Sequence, residues 1–116
     1  MENISITLIE TIVPDVGARA ALEAVETEFV DEEVLEVFYE YMTECSENLQ
    51  TALNASDTDK VLREAHSLKG TGSAMGFPEL SIVGAELEIM AQQGAHSCRP
   101  LIDLITKWTD MFVPQG

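Results

Sequence analysis

Apolar side chains recur at steps of three and four residues between positions 34 and 53, and no other feature limits the fold as strongly. Steps of this size place side chains on one face of an α-helix. Acidic residues fall mostly on the opposite face, and Asp31 is a suitable N-cap. The pattern predicts a long amphipathic helix from Asp31 to about residues 53–55. Its apolar series consists of Val34, Phe38, Tyr41, Met42, Cys45, Leu49, Ala52 and Leu53.

Three more segments have the same period and short connections. The first begins after Ser56 or Asp57 and runs to about Met75, and Pro78 suits the first position of the next helix. A loop over residues 94–100 leads to a last helix, opened by Pro100. The apolar series of these last two helices are Leu80, Val83, Leu87 and Met90, and then Leu101, Leu104, Ile105, Trp108, Met111 and Phe112. We predict an all-α fold, with an up-down antiparallel four-helix bundle over residues 30–116.

Residues 1–29 precede this bundle and predict an N-terminal helical appendage. The apolar spacing between residues 4 and 12 suits a short helix. After Pro14, Asp15 can cap a second helix that reaches about Thr27. We expect both short helices to pack on the bundle as a lid or an extra layer. The apolar series of the second helix is Val16, Ala20, Leu22 and Val25.

The charge of the chain excludes two classes of partner. Its formal net charge of −15 comes from 21 acidic and 6 basic residues. Phosphates repel such a surface, so we expect neither nucleic acids nor anionic membranes as partners. Ten of the acids lie between residues 22 and 50, with no basic residue among them. They form either a solvated helix face or a surface that repels wrong partners.

Length and composition predict a single cytoplasmic domain. The 116 residues suffice for one hydrophobic core without metal or disulfide support. No apolar run reaches the roughly 18 residues that a membrane span requires. The N-terminus lacks the basic start of a secretory signal, so we expect a cytoplasmic protein. Cys45 and Cys98 are expected to be reduced thiols.

His66 is predicted to face solvent from the second helix of the bundle. At about 100° per residue, the core series of this helix is centred about 140° away from His66. That core series consists of Val61, Ala65, Leu68, Gly72 and Met75. An exposed histidine is by itself an ordinary surface residue, so its neighbours must decide between the two interpretations.

Lys69 and Gly70 lie one helical turn after His66. Gly70 costs the helix about 1 kcal/mol relative to alanine, and its outward angle gives it no packing reason. A glycine there leaves the imidazole open to a bulky group or another protein. Gly72 instead points inward, where close contact between helices is a sufficient reason. Gly76 suits a helix C-terminus, so we interpret both of these glycines as structural.

The exposed imidazole suits nucleophilic chemistry. A good fraction of exposed imidazole is unprotonated near neutral pH and can act as a nucleophile. Attack on a phosphoryl group requires mainly positioning and charge stabilisation from a protein. Lys69 can supply a cation one turn away. His66, Lys69 and Gly70 are therefore the candidate site.

The stretch Ala65-His66-Ser67-Leu68-Lys69-Gly70, followed by Gly76, resembles the signature of histidine-containing phosphotransfer (HPt) domains, including the related phosphorylated domain of chemotaxis kinases. That pattern has a histidine, a lysine three residues on, a glycine four residues on and a further glycine ten residues on. All four positions match, and the similarity covers about residues 30–112.

The resemblance implies a relay in two-component signalling. His66 would accept a phosphoryl group from the aspartate of a response-regulator receiver domain, or from a sensor histidine kinase of simple or hybrid type, and pass it to another receiver. Lys69 would steady the phosphoryl group, and Gly70 would give access to it. The receiver would hold the Mg²⁺, so no metal or other cofactor is expected in this chain. From their angles, the side chains expected at the rim of the docking surface are Leu62, Ser67 and Ser73.

Three other interpretations of the same residues compete with the relay. Dimeric sensor kinases usually have an acidic residue directly after the phosphorylated histidine, whereas this chain has Ser67 and no room for an ATP-binding domain. A helical interaction module would bind receivers without being phosphorylated. A metalloenzyme would use His66, His96, Cys45 and Cys98, but their spacing is not that of a zinc site. His96 fits an exposed loop residue better.

Overall fold

All regular elements of the chain are helical in a computed structural model, which describes residues 3–23 and 31–114. The predictions of an all-α fold and of a helical N-terminal appendage are confirmed. A short 3₁₀ helix, Ala95–Cys98, precedes the last helix. The α-helices are α1 (Ile4–Glu10), α2 (Val16–Glu23), α3 (Glu32–Asn54), α4 (Thr58–Ala74), α5 (Pro78–Ala91) and α6 (Arg99–Phe112).

The starts of three helices follow from their first residues. Asp31 caps α3 by accepting a hydrogen bond from the backbone N–H of Val34 at 3.0 Å. Asp57 caps α4 in the same way, accepting from the N–H of Lys60 at 3.1 Å. Pro78 occupies the first turn of α5, where its missing N–H has no cost. These three helix starts agree with the sequence predictions.

The core of the bundle is built around Trp108 of α6, which is fully buried. Its indole meets Phe77 edge-on, with the ring centroids 5.4 Å apart. Phe77 in turn stacks on Phe38 of α3 at 5.4 Å. Such aromatic contacts add stability beyond the area they bury. Phe77, in the turn between α4 and α5, therefore packs against both α3 and α6.

Helices α4 and α5 approach each other closely because glycines lie at their contact. A Cβ on Gly72 would lie 2.6 Å from the backbone nitrogen of Ser81, and a Cβ on Gly84 would lie 2.6 Å from that of Lys69. These contacts pair the end of α4 with the start of α5, as antiparallel neighbours do. The up-down order of the four helices stays a prediction, and the direction of these contacts favours it.

The N-terminal helices cover the outer side of α5 and part of α6. Ser5 of α1 accepts a buried hydrogen bond from the indole N–H of Trp108 at 2.7 Å. Arg19 of α2 forms an ion pair with Glu86 of α5. Helix α5 is therefore buried on more than one face, and its buried side chains do not form a single stripe.

Several details differ from the sequence predictions. Leu22, Val34 and Met111 were expected in apolar stripes, but all three are exposed, and Leu22 is 89% exposed. Each lies in the first or last turn of its helix, where no other described helix covers it. The expected loop over residues 94–100 contains the 3₁₀ helix, and α6 begins at Arg99. Val25 and Thr27 lie outside the described residues.

Candidate functional site

His66 lies on the outer face of α4, as its helical angle predicts. Its side chain is 81% exposed. On the inner face of the same helix, Val61, Ala65, Leu68 and Gly72 are buried against the core. The imidazole is therefore free to meet a large partner, while the backbone that carries it is held firmly by packing.

Glu88 of α5 faces both candidate side chains of α4. Its Oε1 atom lies 3.8 Å from Nδ1 of His66 and 3.8 Å from Nζ of Lys69. These distances permit electrostatic attraction but are too long for a hydrogen bond. Oε1 is shielded from solvent and has no hydrogen-bond partner among the described residues. The carboxylate is thus placed to attract a proton or a positive charge on either neighbour.

The three glycines of the motif have different surroundings. A Cβ on Gly70 would meet nothing within 4 Å, so packing does not require a glycine there. Gly72 lies against the backbone of α5 and leaves no room for a side chain. Gly76 has a φ of +86°. There its N–H donates to the carbonyl of Ser73, and that of Phe77 donates to the carbonyl of Gly72, which is the Schellman arrangement.

The side chains expected at the rim are only partly free. Ser67 is exposed, but its hydroxyl shares a 2.8 Å hydrogen bond with the phenol of Tyr41 on α3. Leu62 is half-buried against the core. Ser73 is half-buried, and its backbone N–H donates to the hydroxyl of Ser81 at 2.7 Å. All three therefore also contact other parts of the bundle, and Ser67 does so toward α3.

Two groups beneath this surface have strongly shifted acidities. Burial raises the pKa of Tyr41 to about 12 and the pKa of the Cys45 thiol to about 12. The nearby carboxylate of Glu64 raises the pKa of Cys45 further. Both groups are therefore neutral at physiological pH, and the Cys45 thiol is unsuited to nucleophilic attack.

The residues of the alternative metal site are not brought together. Cys45 and Cys98 are separate buried thiols. His96 is exposed, and its Nε2 lies 3.3 Å from the hydroxyl of Ser56. Within residues 3–23 and 31–114, no group of three or more His, Cys, Asp or Glu side chains is placed to hold a metal ion.

Comparison with known proteins identifies the family. A sequence profile of the Hpt domain matches residues 33–112, most of the chain and all of the candidate site. The chain belongs to the Hpt domain family. The comparisons with curated proteins and with solved structures gave no match. Family membership gives this chain a general role in histidine phosphotransfer within two-component phosphorelays, where Hpt domains work with receiver domains and kinases.

The match begins at the second residue of α3, so helices α1 and α2 of this Hpt domain lie before it. The sequence predicts the bundle over residues 30–116, and these bounds stay a prediction. In the described part of the chain, no helix is both long enough and apolar enough to cross a bilayer.

Sequence reasoning did not identify two residues of this Hpt domain that the structure places at the site. Glu88 lies on another helix, and a helical wheel of α4 carries no information about it. Gly84 had a readable signal, because a glycine inside a helix is costly and suggests a close approach. It is that approach that brings α5 against the backbone of Lys69.

Proposed function

We propose that this Hpt domain carries a phosphoryl group on His66, accepting it from the phosphoaspartate of one receiver domain and passing it to another. The observation that supports this best is the placement of the imidazole. His66 is 81% exposed, and its Nδ1 faces a carboxylate at 3.8 Å. That orientation leaves Nε2 as the nitrogen available for attack.

In the proposed step, the Nε2 lone pair attacks phosphorus in line with the bond to the aspartyl oxygen. The N–P bond forms as the P–O bond breaks, and the aspartate leaves as a carboxylate. The imidazole keeps its proton on Nδ1 and gains positive charge. Glu88 faces that nitrogen, so its carboxylate stabilises the charge and favours the reactive tautomer. Contacts of this kind are often long before the partner binds.

Lys69 and Gly70 complete the proposed site. The ammonium of Lys69 is 54% exposed and can turn from Glu88 toward the oxygens of the transferring phosphoryl group. A cation at that place stabilises charge that develops in the transition state. Gly70 leaves the surface beside His66 open. The proposed rim of the docking surface includes Leu62, Ser67 and Ser73, while Gly72 and Gly76 are proposed to be structural.

The proposed partners supply the rest of the chemistry. They are response-regulator receiver domains and a sensor histidine kinase, and the receiver is proposed to hold the Mg²⁺. No cofactor is proposed for this chain. A cytoplasmic location is proposed as well, since Cys45 and Cys98 are free thiols and thiols stay reduced there.

The proposal is tested with two phosphoryl donors. Phosphoramidate is a small donor that needs no docking, whereas a phosphorylated receiver domain must dock. Wild type should be labelled by both donors with an acid-labile, base-stable phosphate, and His66→Gln by neither. His96→Gln is the matched control and should be labelled like wild type. Label on His96, or none on wild type with either donor, would refute the proposal.

Lys69→Ala tests whether Lys69 acts in phosphoryl transfer or in folding. Because Lys69 is at the surface, we expect this change to slow transfer from the receiver and to leave the helical content unchanged by circular dichroism. A loss of helicity would instead assign Lys69 a structural role.

The second candidate function is a helical interaction module that binds receivers without being phosphorylated. The exposed surface around His66 would serve this function too. A binding-only module would keep its biological output when His66 is replaced by glutamine, whereas the relay would lose it.

A further inference from the structure

The two flanks of His66 differ, and the difference indicates where a partner can dock. On one flank, toward α5, Lys69 and Glu88 stand against each other. On the other flank, toward α3, Gly70 leaves the surface bare. Beyond it, a hollow of about 320 Å³ lies between α3 and α4. Its lining side chains are Tyr41, Glu44, Cys45, Asn48, Lys60, Arg63, Glu64 and Ser67.

Two basic side chains of α4, Lys60 and Arg63, line this hollow. With Lys69, which lies on the other flank beside Glu88, they make up three of the six basic residues of the chain. Arg63 is exposed one turn before His66, and Lys60 is half-buried. In the described parts of the chain, neither Arg63 nor Lys60 forms an ion pair. Two unpaired cations beside the site are unusual on a chain with a net charge of −15.

Two carboxylates also line the hollow, Glu64 on α4 and Glu44 on α3. The carboxylate of Glu64 accepts a hydrogen bond from the amide of Asn48 at 3.1 Å. Glu44 is exposed on α3 and has no basic partner among the described residues. Among the described residues, the hollow thus has two cations without an ion pair on α4 and one carboxylate without an ion pair on α3. Such polarity favours one orientation of a charged partner and raises its rate of association.

We propose that the receiver partner docks across the hollow between α3 and α4, with acidic side chains of its docking surface against Arg63 and Lys60. This inference rests on the proposed phosphotransfer function. Charge complementarity identifies the occupant, because Arg63 and Lys60 form no ion pair among the described residues and lie on the same helix as the histidine that the receiver must reach. The hydrogen bond between Tyr41 and Ser67 holds the two helices in place across the hollow.

The test compares the same two phosphoryl donors on charge-reversed proteins. The receiver used is the one that transfers fastest to wild type. Arg63→Glu and Lys60→Glu should each raise the KM for this phosphorylated receiver by about tenfold, with kcat little changed. Their rates of labelling by phosphoramidate should equal the wild-type rate, because that donor does not dock. Arg63→Gln should give a smaller rise in KM and a weaker dependence of KM on salt.

Lys107→Glu is the matched control. Lys107 is exposed on α6, forms no ion pair among the described residues and does not line the hollow. Its replacement by glutamate should leave the KM unchanged.

The outcomes separate this inference from the proposed function. If wild type accepts phosphate on His66 and the Arg63 and Lys60 variants keep the wild-type KM, the docking inference is wrong and the function stands. If Arg63→Glu slows labelling by phosphoramidate, Arg63 acts on the phosphoryl group, and the docking role is overturned. If wild type is not labelled on His66, the proposed function itself fails.

Discussion

Gly70 and Gly72 are two residues apart on α4, yet a methyl group added to each would meet opposite surroundings. Gly70→Ala should raise the free energy of unfolding by about 1 kcal/mol, since nothing lies within 4 Å and alanine favours the helix. Gly72→Ala should lower it by about 1–3 kcal/mol, because its Cβ would lie 2.6 Å from the nitrogen of Ser81. Urea denaturation of the two variants measures both changes.

The same pair of variants tests access to His66. We expect Gly70→Ala to slow transfer from a phosphorylated receiver by about tenfold, because an added side chain shifts the partner from its productive position. Labelling by phosphoramidate should be unaffected. A more stable Gly70→Ala protein with normal transfer would show that the open surface at Gly70 is not needed.

In the proposed mechanism Glu88 acts on the imidazole itself, so its replacement should affect transfer from both donors. Glu88→Gln keeps the shape and removes the charge that lies 3.8 Å from Nδ1 of His66. A charge at about 4 Å is worth about 1 kcal/mol in a water-like environment, which suits the high exposure of His66. We therefore expect about a fivefold fall in the rate of labelling by phosphoramidate and by a receiver alike.

Glu86→Gln is the matched control for this change, because Glu86 lies on the same helix and pairs with Arg19 instead. It should leave labelling unchanged. Equal rates for wild type and Glu88→Gln would remove Glu88 from the proposed mechanism.

At the scale of the helices, the sequence predicts what each helix does alone and leaves out what one helix does to another. The angle of His66, the caps at Asp31 and Asp57, and the first residue of α5 all follow from local spacing and local chemistry. The contact of Glu88 with α4 does not, because it depends on how far α5 slides along its neighbour. That position is fixed in part by Gly84, which lies against the backbone of Lys69.

Helix α5 also shows what the N-terminal segment contributes to the fold. Its buried residues include Ile82, Val83 and Gly84 in succession, so it is covered on more than one face. A helix that is apolar on several faces requires a further layer, and helices α1 and α2 supply that layer here. The sequence indicated their existence, whereas only the structure shows that α1 reaches Trp108.

The contact between α1 and α6 is tested by Ser5→Ala. The change leaves the buried indole N–H of Trp108 without the hydroxyl that accepts its 2.7 Å hydrogen bond. An unsatisfied buried donor costs about 1–3 kcal/mol, so the urea midpoint should fall accordingly. Thr11→Ala is the control, since the exposed hydroxyl of Thr11 bonds only to the nearby carbonyl of Leu8. Equal midpoints for wild type and Ser5→Ala would contradict the docking of α1.

At the scale of the whole molecule, acidic and basic side chains are unevenly distributed between α3 and α4. The exposed side of α3 carries Glu36, Glu40, Glu44 and Glu47, whereas half of the basic residues lie on α4 near His66. Like charges repel an acidic partner over most of this surface. The basic residues of α4 lie beside His66, where the proposed partner must arrive.

Stability of the whole fold should fall in alkaline solution, because the half-buried phenol of Tyr41 and the buried thiol of Cys45 keep their protons longer in the folded chain. The pKa of Tyr41 rises from 10.0 to about 12, and that of Cys45 rises from 9.0 to about 12. Below pH 9 both groups are protonated in the folded and the unfolded chain, so their stabilising contribution is complete. Above pH 9 the unfolded chain loses these protons first, which favours unfolding until the folded chain loses them near pH 12.

The free energy of unfolding, measured by urea denaturation between pH 8 and pH 11.5, should therefore decrease with pH above about 9. Tyr41→Phe removes one titrating group and should make the decrease shallower above pH 10. Ser67→Ala removes the hydroxyl that bonds to Tyr41 but keeps the phenol, so it should retain the full decrease. A Tyr41→Phe curve parallel to the wild-type curve would show that the phenol is not half-buried as the structure places it. That result would also contradict the packing of α3 against α4 beside His66.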